Sequence, residues 1–403
     1  MVQAVCAAFY FRNESWQSTM PPVSVQQPSM IHREAIMIQE LKQLENGDRI
    51  LWDVERNAIY THFTGKRKVV STSLINGGYR EDLEGVFNYN CGGPNDPCMS
   101  LAEYEVYLKK VASDLGLLPE RACGFGTAAQ MKNAAVVTET YRKLEVTACV
   151  TAGVEGNAGC AGDPAGYYGA EDNPELMIPG TINILLFLNA NMPAGILTRA
   201  LVTCTEGKTA ALRNLLVGSR YSENPATGTG TDSTAIICDP GSSLYFRGAG
   251  KHSKLGELIG RAVTKAVTIA LEKQNGLTPA VQHSVLSRLR RYGVTAKSLW
   301  EIYHKEGRTG SEADFLSAFQ CVETNPTAIL ASSLYAELLD EYRWHLDSAD
   351  ETRAMAESLL QMIARALPAK AAPIQENTLT GFVRAMEETL LGGLSLRERK
   401  ENP

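Results

Sequence analysis

The chain of 403 residues carries 39 Lys and Arg against 45 Asp and Glu, a net charge of −6, with 44% hydrophobic and 21% charged residues. This length and composition exclude a wholly disordered chain and predict two or three globular domains. Neither half is basic, which excludes electrostatic capture of nucleic acid or of an anionic membrane as the main activity.

In chain order, residues 1–45 read as an N-terminal extension. Its apolar start, Val2 onward, is short, lacks a basic residue in front and leads into Arg12, Asn13 and Glu14, so a poorly ordered terminus is expected rather than a signal peptide. Residues 46–277 alternate β-rich runs with glycine loops. Strands are predicted at 49–55, 58–63, 68–73, 134–141, 144–150, 181–188, 234–238 and 244–247, several joined too closely for crossover helices, so antiparallel pairing is expected to be common. Three helices interrupt them: one from Ser100 with Glu103 three residues on, one from about Pro193 through Leu212, and one after Ser253 with Leu255, Leu258, Ile259, Ala262, Val263, Ala266, Val267 and Ala270 on one face. From residue 278 the grammar is helical, beginning with Thr278 and Pro279 as cap and first-turn proline and running to Tyr292. Further helices are predicted at about 295–306, 311–324, 327–346, 349–367 and 377–391. Of the 34 glycines only six follow residue 279, which marks the change of architecture. The predicted fold is α+β, a mixed, largely antiparallel sheet layered with helices, followed by a C-terminal all-α helical domain over 278–403.

Nine cysteines, an odd number spread singly, predict reduced thiols and a cytoplasmic location. Cys91 and Cys98 bracket a Gly-Gly-Pro-Asn-Asp-Pro run that reads as a surface loop with two thiols. No apolar run reaches the roughly 18 residues of a spanning helix, so no membrane partner is expected. His283, His304 and His345 fall on separate predicted helices and read as surface or core histidines.

Four polar, glycine-containing stretches stand out because packing alone does not ask for them. Residues 71–81 contain Asn76, Gly77 and Gly78, which equally fit a hairpin turn. Residues 151–163 contain Asn157 among small residues that let a ligand approach the backbone, or that simply form a flexible loop. Residues 226–232 alternate threonine and glycine (Thr227, Gly228, Thr229, Gly230, Thr231) before Asp232. They form either an anion or amide cradle or a loop whose hydroxyls serve its own backbone. Residues 248–257 place His252 beside a helix start, where the positive helix end favours neutral imidazole able to accept a proton. Within the second helix, Glu206 and Lys208 are two apart, cannot share a helix face and need separate partners. Gly207 between them implies close packing or a ligand, since glycine there costs roughly 1 kcal/mol. Gly207, Lys208 and Thr209 imitate the end of a phosphate-binding loop, but Val202 stands where its first glycine belongs, so nucleotide hydrolysis is not indicated.

Taken together and in order, seven stretches resemble the adenosylcobinamide amidohydrolase family of corrinoid salvage. They are SLINGGYRE at 73–81 with Asn88 downstream, GFGTAA at 124–129, VTAGVEGNAGCAGD at 150–163, PGTINI at 179–184, TEGKTAAL at 205–212, ATGTGTD at 226–232 and KHSKLGELIG at 251–260. Gly207, where the family tends to have alanine, and the loop between Cys91 and Cys98 are departures. The resemblance implies hydrolysis of the amide joining the aminopropanol arm to the corrin ring, giving adenosylcobyric acid for coenzyme B12 assembly. The alternatives are a non-catalytic corrinoid carrier or a hydrolase of another amide.

Amide cleavage needs an activated nucleophile, a stabilised oxyanion and a proton for the leaving amine. Neutral His252 or Glu206 is expected to activate water with the other as proton donor, and Asp232 to orient His252. The backbone N–H groups and hydroxyls of 227–231 are expected to face the oxyanion. Asn76, Gly77, Gly78, Thr127, Asn157 and Lys208 complete the expected substrate contacts, and a threonine or serine nucleophile stays open. No cofactor and no metal are expected, the corrinoid being substrate. The helical domain is expected to serve a protein partner, self-association or closure of the corrin cleft.

Overall fold

The computed structural model describes residues 38–91, 101–165 and 180–394. The start of the N-terminal extension, the run from Gly92 to Cys98, the expected cap at Ser100 and Pro179 lie outside the described residues. The chain forms two compact units, one of residues up to 214 with 226–276, the other of 215–225 with 277 onward.

In the first unit the elements are β1 (Ile38–Gln43), β2 (Arg49–Asp53), β3 (Ala58–His62), β4 (Lys68–Ser71), β5 (Gly78–Arg80), β6 (Gly85–Asn90), α1 (Leu101–Asp114), β7 (Ala122–Thr127), β8 (Ala135–Tyr141), β9 (Leu144–Gly153), β10 (Ala158–Gly159), β11 (Thr181–Leu188), α2 (Ala194–Asn214), β12 (Gly228–Thr229), β13 (Ser233–Cys238) and α3 (Lys254–Asn275). One sheet has the order β1-β2-β3-β6-β7, a second β5-β4-β13-β11-β9-β8, and β10 pairs with β12. Pairing is antiparallel except at β6–β7 and β11–β13, and in each exception a helix, α1 or α2, supplies the crossover that a parallel pair requires. The mixed, mainly antiparallel sheets layered with helices are those the sequence predicts.

Side-chain alternation on β11 shows how the layers form. Leu185 and Phe187 enter the core between the two sheets with Ile50, Ile59, Val69, Val86 and Phe125. The alternate Ile182, Ile184 and Leu186 are buried on the opposite face, where α2 and α3 pack. The far face of the five-stranded sheet is covered by α1 through Leu108, Val111 and Ala112 over Phe87 and Ala122. The unit is therefore a four-layer sandwich, helix on sheet on sheet on helices. The predicted apolar face of α3 is buried throughout, and burying each such Leu, Ile or Val contributes about 1.5–3 kcal/mol. Ser253 caps the helix by accepting from Gly256 N, and Gly276 ends it at φ 65°. Residues 244–247, expected as a strand, make only the single bridge Asn191–Tyr245.

The second unit contains α4 (Pro279–Gln282), α5 (Val285–Leu289), α6 (Ala296–Lys305), α7 (Glu312–Glu323), α8 (Pro326–Arg343), α9 (Ala349–Ala366) and α10 (Leu379–Gly392). The helix expected over 278–292 is broken at His283, whose ψ of 62° leaves the helix and lets Ser284 cap the next one. Thr295, Ser311 and Ser348 form capping boxes, and Phe315, Phe319, Tyr335 and Phe382 centre a separate core. Asp340 of α8 binds the Arg291 guanidinium and accepts from Tyr292 Oη at 2.7 Å. Segment 215–225 joins this core region: Arg291 donates to Glu223 O at 2.8 Å and Arg343 to Asn224 Oδ1 at 3.1 Å. Tyr292, Ile302, Leu379, Val383 and Glu387 line a cavity of about 500 Å³. No helix among the described residues is long and apolar enough to cross a membrane.

Candidate active site

Strand register brings three of the four singled-out stretches to one end of the sandwich. Gly153 at the end of β9 pairs with Thr181 at the start of β11, Asn183 with Ser233 at the start of β13, and Ser71 at the end of β4 with Ala235. The glycine loop after β9 and the threonine–glycine loop before β13 then pair directly, Ala158 with Thr229 and Gly159 with Gly228. The β6 and β7 ends join from the other sheet. Asn183 Nδ2 donates to Gly126 O at 3.0 Å and to Asn88 Oδ1 at 2.8 Å, and Asn88 Nδ2 donates to Thr151 Oγ1 at 2.7 Å. Because a carbonyl only accepts, Gly126 fixes the orientation of both amides. Asn183 Oδ1 is left buried without a hydrogen-bond partner among the described residues. Sequence reasoning missed Asn183; an asparagine inside the otherwise apolar run 182–188 is the signal that was there to be read.

The charged centre of this end is an ion pair between Lys208 of α2 and Asp232, with side chains 11% and 13% exposed. Asp232 Oδ1 also accepts from Ile182 N at 2.9 Å and Thr229 Oγ1 at 2.6 Å, and its Oδ2 from Thr229 N at 3.0 Å. Gly228 passes so close that a Cβ there would lie 2.6 Å from Lys208 Nζ and nearer still to the carboxylate, so a side chain at 228 would have to displace the pair. Thr209 Oγ1 donates to Thr227 O at 3.0 Å, tying α2 to the same loop.

Several expected roles change. Asp232 does not orient His252: both its oxygens are taken by Lys208, Thr229 and Ile182 N. His252 is exposed at the start of α3, where Lys254 lies over the ring of Tyr141 at the closed end of the β8–β9 hairpin. The far end of α3 meets the glycine loops, with Asn275 Oδ1 accepting from Val154 N at 3.2 Å. With 22 residues the helix is about 33 Å long. Among the described residues no hydrogen bond joins Asp232 to His252 or to Glu206. Glu206 Oε1 accepts from Lys251 Nζ at 3.0 Å, next in the chain to His252, while Glu206 Oε2 is buried with no hydrogen-bond partner among the described residues.

Gly207 reflects close packing, since a Cβ there would stand 3.3 Å from Gly260 O and from Val263 Cβ. Asn76, at φ 51°, gives both amide hydrogens to Pro119 O and Ala122 O at 2.7 Å, which makes it a tether for the turn rather than a free amide. Gly77 is required by that turn, its Cβ position falling on Ser73 O, and Gly78 has φ 80°. Thr127 is fully buried and accepts from Ala129 N at 3.0 Å. Asn157 is buried and donates to Gly180 O at 3.2 Å.

The expected oxyanion donors also narrow. The N–H of Thr227 goes to Gly159 O, that of Thr229 to Asp232 and that of Thr231 to Thr229 Oγ1. Exposed Gly230 has no intramolecular acceptor for its N–H among the described residues.

Burial pushes the thiols of Cys123, Cys149 and Cys204 up to about 12, so they are protonated and poorly nucleophilic near neutrality. Burial also raises Cys160, with Asp163 adding to it. Among the described residues no three His, Cys, Asp or Glu side chains gather as a metal-ligand set.

Comparison with known proteins agrees with the motifs that meet here. An uncharacterized protein of Methanocaldococcus jannaschii, MJ1613, is 34% identical over 232 residues, covering 55% of this chain and 88% of its own. The crystal structure of the PH0078 protein from Pyrococcus horikoshii OT3 superposes with a TM-score of 0.30 at 11% identity, over 64% of this chain and 89% of that one, too distant to inform the fold. The family model for adenosylcobinamide amidohydrolase matches residues 41–279, and the chain belongs to that family.

Proposed function

We propose that this protein hydrolyses the aminopropanol amide of adenosylcobinamide to adenosylcobyric acid, at the end of the sandwich where the glycine loops meet. The observation that carries this reading is the convergence of the family-like stretches 124–129, 150–163, 180–184, 205–212 and 226–232 at the end of the sandwich that holds Lys208 and Asp232. A corrinoid is fringed by neutral amides, and the surrounding side chains are neutral donors and acceptors to match: Asn88, Asn157, Asn183, Thr151, Thr181 and Thr231. The unpaired Asn183 Oδ1 supplies an acceptor whose burial unsatisfied costs about 1–3 kcal/mol, a cost that an N–H donor would relieve. The Lys208–Asp232 pair is a covered charged unit in this setting and is suited to moving a proton to the departing amine.

The test is incubation with adenosylcobinamide followed by chromatography of the corrinoid. Adenosylcobyric acid with one equivalent of aminopropanol is expected. Quantitative recovery of substrate that nevertheless binds would make the protein a corrinoid carrier.

A further inference from the structure

Three threonine hydroxyls lie in the loop before β13, and two are committed to the loop's own fold. Thr227 Oγ1 accepts from Ala161 N at 2.9 Å, while Thr231 Oγ1 donates to Gly180 O at 2.9 Å and accepts from Thr181. The Thr229 hydroxyl also accepts from the loop backbone, from Thr231 N at 3.4 Å, but it alone of the three donates to a carboxylate, Asp232 Oδ1 at 2.6 Å, whose other oxygen is held by Lys208. Thr229 is half-buried, and the N–H of the next residue, exposed Gly230, has no intramolecular acceptor among the described residues. A nucleophilic hydroxyl needs a proton acceptor, a charge to balance that acceptor and a donor facing the oxyanion. The residue after a nucleophile supplies that donor in other hydrolases.

We propose that Thr229 is the nucleophile and that hydrolysis passes through a corrinyl ester on its Oγ. This inference rests on the reaction proposed above. Thr229 Oγ attacks the amide carbon as its proton passes to Asp232 Oδ1, and the oxyanion faces the Gly230 N–H. The C–N bond breaks as the Lys208 ammonium gives a proton to the departing nitrogen, releasing aminopropanol. The proton on Asp232 then moves to Lys208 through their existing bond, restoring both charges. Water adds to the ester, one of its protons travels by way of Asp232 to Thr229 Oγ, and the carboxylic acid leaves.

The test combines two variants with two acylation experiments. Thr229→Ala is expected to lower turnover of adenosylcobinamide by about 10³-fold with corrinoid binding, read from the visible spectrum, unchanged; Thr229→Ser is expected to stay within about tenfold of wild type. Acid quench during turnover is expected to leave the corrinyl group on the peptide containing Thr229. Independently of any corrinoid, p-nitrophenyl acetate is expected to acetylate Thr229 with a burst of nitrophenolate, and this measurement decides the matter if Thr229→Ala does not fold. Turnover by Thr229→Ala at the wild-type rate, or acetylation that spares Thr229, overturns the nucleophile. Acetylation at Thr229 in a protein that leaves adenosylcobinamide intact would keep the nucleophile and remove the substrate.

Discussion

Lys208 and Asp232, 24 residues apart in the chain, form an ion pair that almost no water reaches. The two partners are not equally dependent on it. Asp232 keeps three other donors if Lys208 is removed, whereas no other acceptor for Lys208 is found among the described residues. Asp232→Asn is therefore expected to cost about 3 kcal/mol in urea unfolding and Lys208→Met less, since removing one partner of a covered pair strands the other charge. A larger loss for Lys208→Met would mean that the carboxylate, not the ammonium, depends on the pair.

The contact of Gly207 with Gly260 sets a size limit on α2. Alanine at 207 gains about 1 kcal/mol of helix propensity and meets neighbours at 3.3 Å that yield by a few tenths of an ångström. Gly207→Ala should thus be close to neutral in thermal unfolding. Gly207→Val should lose about 1–3 kcal/mol by overpacking against α3. Equal effects of the two would show that the helices do not touch there.

His252 is exposed at the far end of α3 from the glycine loops. Corrinoid turnover by His252→Ala is expected to stay within about twofold of wild type, the range of ordinary surface substitutions. Glu206→Gln removes a pair whose side chains are 63% and 40% exposed and should change stability by less than about 1 kcal/mol. A hundredfold fall in the chemical step for His252→Ala would restore the role that its helix position suggests.

Burial raises the Glu387 carboxyl above its usual range, Ser298 opposing with a weaker hydrogen bond. A folded state with a raised acid pKa holds a proton that the unfolded chain has released. The stability linked to Glu387 is therefore fully present below the ordinary glutamate pKa, near about 4.3, and is lost as pH rises through the higher folded value. Glu387→Gln should melt above the wild type near neutral pH and show no such gain near pH ~4. A gain at acid pH alone would reverse the sign.

The sheet was legible where alternation or apolar runs speak locally, as at β2, β3, β8, β9 and β11. β7 was not, because Ala-Cys-Gly-Phe-Gly-Thr looks like a loop. Its glycines are imposed from outside: a Cβ on Gly124 would enter the Phe87 ring, and one on Gly126 would strike Tyr104 Oη. The separate needs of Glu206 and Lys208 were readable from helix geometry, but Asp232 as partner was not, since nothing local links α2 to a loop 24 residues on. His252 was misplaced for a related reason. A helix start is visible in sequence, whereas the end of the sheet at which it lands is a matter of topology.

The loan of residues 215–225 to the helical unit bears on how the gene can be cut. A stop codon after Gly276 removes Arg291 and Arg343, which bind Glu223 O and Asn224 Oδ1, and Gln282, which binds Leu215 O. It leaves an eleven-residue excursion with its hydrogen-bonding groups stranded between α2 and β12. A deletion that respects the fold has to replace that excursion with a short turn as well as end the chain. By the same logic, grafting the helical unit onto another copy of the first unit takes two edits, an extension at the C-terminus and an insertion at the loop it engages.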